Sequence, residues 1–553
     1  MKYAFLLAVF FIHGTLASCS KKSGSSDDPA PPGNHVPTAS LSASVKSTDP
    51  LTIHFTVTAS DADNDPLQYH WNSGNGTTTD GQPEADFTYA AGKDFTATVS
   101  VTDGKSDPLV LSLHFSSTVR QVSVTASERH QQMTGFGGFG AKDVYWSGGP
   151  YTSTDFVNTL INDLGVTVLR DNIPTDFESV NDDADPNTTD LSKFKYGGFT
   201  DHIQYLKDMK AAGLKTLIIT SWSPPAWMKT NNNVNGLKAD APAYNSNPGS
   251  ADNQLRTDMY EEFAERCVAY IRIVKQKTGL DVYGISLQNE PRFTEPYESC
   301  VFNGEALRDL IKVVGRRFAH DGITAKIFMP EDVGYFDGIR GLIQPILADA
   351  EAMSYVGMVA THGYAFDGVT AASTDAQTWD AMYQWGAAQG KPLWMTETSG
   401  FSNNMQGALD LSKAMYTALR FGNVSAWLFW SLSTSTLDTY TLMSSAGEKS
   451  KRYYASEQFY KYIRPDAYRV TATSDDAGAV YPLAFVNDAD QTKTIVLVND
   501  NEMNVPVKIT GADDTHYELL VTDSLRNCLD LGAEDISGGL LVPARSVITL
   551  YHQ

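Results

Sequence analysis

The chain has 553 residues, 42% of them hydrophobic, and a formal net charge of −23. That size and composition fit a folded protein of several domains. The acidity argues against nucleic-acid binding, which calls for a basic face, and gives no help in gathering polyanionic substrates, although salt screens such repulsion beyond about 8 Å.

In chain order, the first element is a targeting segment. Lys2 precedes an apolar run over 3–12, followed by Leu16-Ala17-Ser18-Cys19. A short basic region, a hydrophobic region and a small-residue cleavage site read as a secretory signal over 1–18. The cysteine directly after Leu-Ala-Ser resembles a bacterial lipobox. That implies lipidation of Cys19, and so an outer-membrane lipoprotein facing the periplasm or the cell surface. No other run reaches the ~18 apolar residues of a membrane span. Residues 19–36 are rich in Ser, Pro, Gly and Asp without an apolar period, a flexible tether. About 17 such residues reach roughly 23 Å.

Residues 37–119 read as a small all-β domain, with strand-like alternation at 51–59, 67–71, 95–102 and 109–115. An Asp-rich turn (Asp61-Ala62-Asp63-Asn64-Asp65) is followed by Tyr69-His70-Trp71, Gly74-Asn75-Gly76, Tyr89 and Thr102-Asp103-Gly104. This order resembles a polycystic-kidney-disease-type (PKD) immunoglobulin-like domain, a spacer or a weak carbohydrate contact. The Asp run suits calcium, but Asp and Asn are equally ordinary turn formers.

Over 120–465 the pattern changes to strands alternating with helices. Apolar runs at 134–140, 166–173, 215–222, 282–290, 325–333, 356–364, 391–398 and 425–432 read as eight strands. Segments 255–277 and 304–320 carry apolar residues at helical spacing. Eight such units predict a (β/α)8 TIM barrel, an α/β fold. The rival, a doubly wound open sheet, lacks its glycine-rich fingerprint. From 466 to 553 short strands return at 468–473, 480–486, 494–498, 517–522 and 547–551, a side β-sandwich that a strand at 121–126 can join. Cys267, Cys300 and Cys528 are too scattered for a disulfide framework or a zinc site, though one pairing stays open.

Chemistry in such a barrel sits at the C-terminal ends of the strands. Those ends carry Arg170, Trp222, Asn289-Glu290, Glu331-Asp332, His362, Tyr364, Glu397 and Trp430. Leu287-Gln288-Asn289-Glu290-Pro291 and Leu393-Trp394-Met395-Thr396-Glu397 each run from apolar residues into a glutamate. Two carboxylates on separate strands are what glycosidic hydrolysis uses, one to protonate the leaving oxygen and one to attack the sugar carbon.

Five segments carry a more specific resemblance: Gly135-Phe136-Gly137-Gly138, Trp222-Ser223-Pro224-Pro225-Ala226-Trp227-Met228-Lys229, Leu287–Pro291, Thr396-Glu397 and Ile463-Arg464-Pro465. From about residue 121 to the C-terminus the chain resembles glycoside hydrolase family 30, of the retaining (β/α)8 clan. The resemblance implies Glu290 as acid/base and Glu397 as nucleophile. It implies Asn289 on the sugar 2-hydroxyl, Arg170 on Glu397, and Tyr364 orienting the nucleophile with His362 beside it. Trp222, Trp227 and Trp430 would offer flat faces to sugar rings. Such hydrolysis needs neither cofactor nor metal, and no ligand cluster stands out in the sequence. Glucuronoxylan-cutting members resemble one another in an arginine soon after the eighth strand. Here 431–438 has none, and Arg452 falls in the run into the last helix.

The expectation is a monomeric, membrane-tethered β-glycanase acting on xylan, β-1,6-glucan or β-1,6-galactan through a covalent glycosyl-enzyme. Its alternatives are an exo-β-glycosidase, a glucosylceramidase-like enzyme, or a non-catalytic carbohydrate-binding lipoprotein.

Overall fold

A computed structural model describes residues 33–140, 153–195, 200–236, 253–334, 336–365 and 376–553. The signal segment, Cys19 and the tether up to residue 32 lie outside them.

The N-terminal domain is two facing antiparallel sheets. One holds Thr38–Thr48, Leu51–Ser60 and Glu84–Tyr89; the other holds Thr78–Asp80, Gln68–Asn72, Asp94–Thr102 and Leu109–Ser116. Leu51, Ile53, Phe55 and Val57 alternate into the core, the period-two pattern of a half-buried strand. Trp71 is fully buried beside Phe55, and its indole N–H donates to the Gln82 carbonyl at 2.9 Å. Strand Thr38–Thr48 escaped the sequence reading because Ser and Thr dilute its apolar alternation. The domain does not hang free. Ser116 N–H donates to the Asn504 carbonyl (3.0 Å), Asn504 N–H donates to the His114 carbonyl (3.1 Å), and Leu541 packs against the domain core.

The eight expected parallel strands close into a barrel: Gly135–Phe139, Val168–Asn172, Thr216–Thr220, Val282–Ser286, Lys326–Val333, Val356–His362, Leu393–Glu397 and Ala426–Phe429. The eighth pairs back onto the first, Ala426 opposite Gly135. Gly137 permits the closing contact with the second strand, because a Cβ there would stand 1.7 Å from the Val168 carbonyl oxygen. Val168, Ile218, Phe328, Met358, Trp394 and Leu428 fill the interior. Their neighbours Leu169, Leu217, Ile219, Val359, Met395 and Trp427 pack outward in the main core shared with the helices. Alternation then dictates the next inward layer. Two residues beyond Val168, Ile218 and Ala360 come Arg170, Thr220 and His362, so an apolar floor carries a polar layer at the C-terminal face.

The fourth strand ends at Ser286, four residues earlier than the sequence suggested. Residues 287–290 leave the ladder and are held individually. Asn289 N–H donates to the Ser221 carbonyl (2.8 Å) and Glu290 N–H to the Glu331 carbonyl (2.9 Å).

The C-terminal module is nine strands hydrogen-bonded in one continuous order around a core that includes Val122, Val470, Leu497, Val507, Leu519 and Ile548. Strand Arg120–Gln132, longer than the expected 121–126, runs antiparallel to Tyr468–Ser474 and parallel to Val505–Thr510. The chain therefore enters the side module before it enters the barrel. Cys267, Cys300 and Cys528 are free thiols, the first two buried.

Candidate active site

Arg170 organises the polar layer. It is fully buried on the second barrel strand. Its Nε donates to Glu331 Oε1 (2.8 Å), one terminal nitrogen to Glu397 Oε2 (2.6 Å) and the other to Asn289 Oδ1 (2.7 Å). The guanidinium also lies 4.6 Å from the centre of the Trp222 ring. Guanidinium suits this position because its planar fork serves several acceptors at fixed angles. Although burial raises the Glu331 carboxyl, Arg170 and His362 outweigh it and hold Glu331 below the usual carboxylate range.

The two glutamates meet across this layer. One carboxylate oxygen of Glu290, one of Glu397 and a ring nitrogen of His362 all lie within 4.8 Å of one another. Tyr364 joins the pair, its hydroxyl 3.3 Å from Glu290 Oε1 and in hydrogen-bond contact with Glu397 Oε1. His362 Nδ1 is 2.9 Å from Glu290 Oε1 and 4.0 Å from Glu397 Oε2, and its Nε2 is 3.6 Å from Glu331 Oε1. Burial opposes charge on this imidazole, but Glu397, Glu290 and Glu331 push it up to about 10. His362 is therefore a cation at neutral pH and donates to Glu290. Burial pushes the Glu397 carboxyl up while His362 and Arg170 pull it down. Burial and both glutamates keep Tyr364 a neutral phenol, far above its ordinary range.

Glu290 and Glu331 both adopt left-handed backbone, φ 44° and 54°. Non-glycine residues reach that region at a cost, and surrounding contacts must hold them there. Here Glu290 N–H donates to the Glu331 carbonyl, so the two unusual turns brace each other.

An aromatic wall completes the site. Trp222 lies 5.7 Å from Trp430 between ring centres, and Phe139, ending the first strand, lies 5.4 Å and 4.4 Å from them. Trp430 keeps part of its surface open, whereas Trp222 is almost covered. Trp227 sits elsewhere. Its indole N–H donates to the Glu178 carbonyl (3.0 Å) and its ring packs against the main core. Among the described residues no hydrogen bond or ring contact joins it to the two glutamates.

The sequence reading noted Glu331 only as a polar strand end without a role, and it did not select Phe139. The signal for a role was a glutamate closing the apolar run Ile327-Phe328-Met329-Pro330, and for Phe139 the aromatic that closes Gly135–Phe139. Arg452, on helix Lys451–Tyr460, has both terminal nitrogens engaged beneath the loop after the eighth strand, while its buried Nε has no partner among the described residues. Its guanidinium donates to the carbonyls of Phe401, Thr439, Asp438 and Thr441 and to Asn403 Oδ1 at 2.5–2.6 Å.

A closed parallel barrel with two facing glutamates at the C-terminal ends of its fourth and seventh strands defines a (β/α)8 glycoside hydrolase. The family can be named from the comparisons. The glycosyl hydrolase family 30 TIM-barrel domain matches residues 174–475, more than half of the chain, and a PKD domain matches 34–109. The chain belongs to glycosyl hydrolase family 30. Among its relatives, glucuronoxylanase XynC of Bacillus subtilis (strain 168) is 25% identical over 444 residues, 77% of this chain and 90% of that protein. An endo-1,6-β-D-glucanase of Neurospora crassa is 25% identical over 429 residues, 70% and 83% of the two chains. The crystal structure of a family 30 endoxylanase from Clostridium papyrosolvens C71 superposes with a TM-score of 0.62 at 25% identity, covering 78% of this chain and 100% of that one.

Proposed function

We propose that this hydrolase is a retaining endo-β-glycanase that cuts a neutral β-linked polysaccharide without needing a glucuronate side group. The carrying observation is the approach of the Glu290 and Glu397 carboxylates to within 4.8 Å. Retention by direct attack calls for carboxyl groups about 5–5.5 Å apart, whereas inversion needs room for a water between more distant groups.

In this reading Glu397, held by Arg170 and Tyr364, attacks the anomeric carbon while Glu290 gives its proton to the leaving oxygen. A glycosyl ester on Glu397 results. Its formation removes one negative charge beside His362, and Glu290 then takes a proton from the water that opens the ester. With Asn289 Oδ1 taken by Arg170, the Asn289 Nδ2 remains to donate to the sugar 2-hydroxyl. Trp430 offers its open face to a pyranose ring.

For the substrate, the burial of Arg452, with both terminal nitrogens taken by protein acceptors, and the lack of arginine over 431–438 argue against a glucuronate grip. That favours β-1,6-glucan, β-1,6-galactan or unsubstituted xylan. The test is digestion of these polymers beside glucuronoxylan, with products resolved by chromatography and anomers by NMR. Oligosaccharides released with retained β-configuration support the reading. Cleavage of glucuronoxylan alone, or of aryl monoglycosides and no polymer, refutes it. Glu397→Ala should abolish turnover and leave polymer binding intact.

We also propose that Cys19 carries the lipid anchor, on the strength of Leu16-Ala17-Ser18-Cys19. Palmitate labelling that persists after Cys19→Ala would contradict it.

A further inference from the structure

Away from the glutamate pair, the same face of the barrel gathers a second group of carboxylates. Glu178 ends the short helix Thr175–Glu178 that follows the second strand, and Asp182 lies in the loop beyond. Glu262 and Glu265 lie one turn apart at the start of helix Tyr260–Thr278. One oxygen each from Glu178, Asp182 and Glu262 lie within 4.8 Å of one another.

What sets this group apart from a surface acidic cluster is Glu178. Its side chain is 1% exposed, and neither of its carboxylate oxygens has a hydrogen-bond donor among the described residues. Both Asp182 oxygens and Glu262 Oε2 are likewise shielded and without donors there. Fully buried Arg266 donates through one terminal nitrogen to the Pro174 carbonyl (2.6 Å), its Nε and other terminal nitrogen find no acceptor among the described residues, and its charge acts on Glu178 without closing an ion pair there. A buried carboxylate without donors is costly unless a charge or proton compensates it.

We infer that Glu178, Asp182 and Glu262 form a calcium site that ties the loop after the second barrel strand to the third-strand helix. The donor set is oxygen only, without His or Cys, which selects a hard cation. Calcium takes carboxylate oxygens at about 2.3–2.6 Å and completes an irregular shell with water, whereas magnesium demands a stricter octahedron and keeps most of its waters.

The site would stiffen the substrate rim. The Glu178 carbonyl accepts the Trp227 indole N–H, and Thr175 Oγ1 donates to Glu298 Oε1 (2.8 Å) in the loop after the fourth strand.

The experiment uses the full chain, stripped with EDTA, and calcium chloride as the probe. Calcium should raise Tm by at least about 2 °C, and isothermal titration calorimetry should show saturable binding below millimolar. Glu178→Gln and Glu262→Gln should each lose the rise, and Glu178→Gln in EDTA should melt no lower than the stripped parent. Asp61→Asn/Asp65→Asn, in the N-terminal domain, should keep the rise. No shift and no heat up to millimolar calcium overturns the proposal. So does a shift that survives Glu178→Gln or Glu262→Gln, or one that disappears with the N-terminal pair. If one glutamine variant fails to fold, the other decides.

Discussion

Arg170 and His362 are two buried cations facing three glutamates, and the balance between them sets how the site behaves. Arg170 is fully buried and Glu331 is one of its acceptors. Glu331→Gln removes a charge from a buried pair, which typically costs about 3–5 kcal/mol because the partner stays behind uncompensated. Urea titration should show that loss, and turnover should fall with it. His362 makes the opposite kind of prediction. Its folded value, about 10, stands above the ordinary histidine value of 6.5. The folded state thus holds this proton more tightly than the unfolded chain. Its contribution to stability is complete below about pH 6.5 and is lost as pH rises toward 10. The Tm gap between the parent and His362→Gln should therefore be widest near pH 6 and close by pH 10. A gap that widens with rising pH would mean that the histidine is neutral in the fold.

At the level of elements, the Trp222–Lys229 segment shows how one run positions several parts of the site. Trp222 stands in the aromatic wall and under Arg170. Lys229, buried at the other end, has Nζ donating to Ser223 Oγ (3.1 Å) and to the carbonyls of Val234 (3.0 Å) and Ser299 (2.6 Å). Burial pushes that amine down to about 8. Lys229 thereby clips the loop after the third strand to the loop after the fourth. Lys229→Met removes the charged donor from both carbonyls and leaves Val234 only the Ser299 N–H (3.1 Å) and Ser299 only the Ser223 hydroxyl (3.4 Å); a hydrogen bond from a charged group is worth about 1.5–3 kcal/mol. It should raise KM for polymer more than it lowers kcat. Equal KM values with a reduced kcat would contradict the clip.

The elements also show what was legible. The eight barrel strands could be read because buried parallel strands are continuous apolar runs. The fourth was read too long because Leu287-Gln288-Asn289-Glu290 continues the apolar-polar pattern after the ladder has ended. Strands Val505–Thr510, Leu529–Asp535 and Leu540–Val542 were not read: the first contains a proline, the second is largely exposed, and the third is three residues long.

For the molecule as a whole, the three modules interlock rather than follow one another. Strand Arg120–Gln132 belongs to the side module though it precedes the barrel, and Asn504 of that module pairs with the edge of the N-terminal domain. Truncation should respond to this topology. A chain starting at residue 119 keeps the strand, so it should fold and cleave a soluble substrate, with Tm lowered by loss of the Leu541 and Asn504 contacts. A chain starting at residue 134 removes a strand flanked on both sides and should not yield soluble enzyme. Circular dichroism and turnover on the two truncations check this. Equal behaviour would mean that the strand is dispensable.

Local pattern in the sequence was enough to determine the domain order, the barrel and the two glutamates at strand ends, since alternation and apolar runs are short-range properties of the chain. Only the tertiary structure decided which distant groups share a charge balance. It added Asn289 and Glu331 to the Glu397 that the family resemblance already gave Arg170, put the Trp227 indole on the Glu178 carbonyl, turned the terminal nitrogens of Arg452 to carbonyls and Asn403, and gathered Glu178, Asp182 and Glu262. Those relations depend on how strands close into a ring and on which carbonyls are left without partners, and no spacing along the chain encodes them.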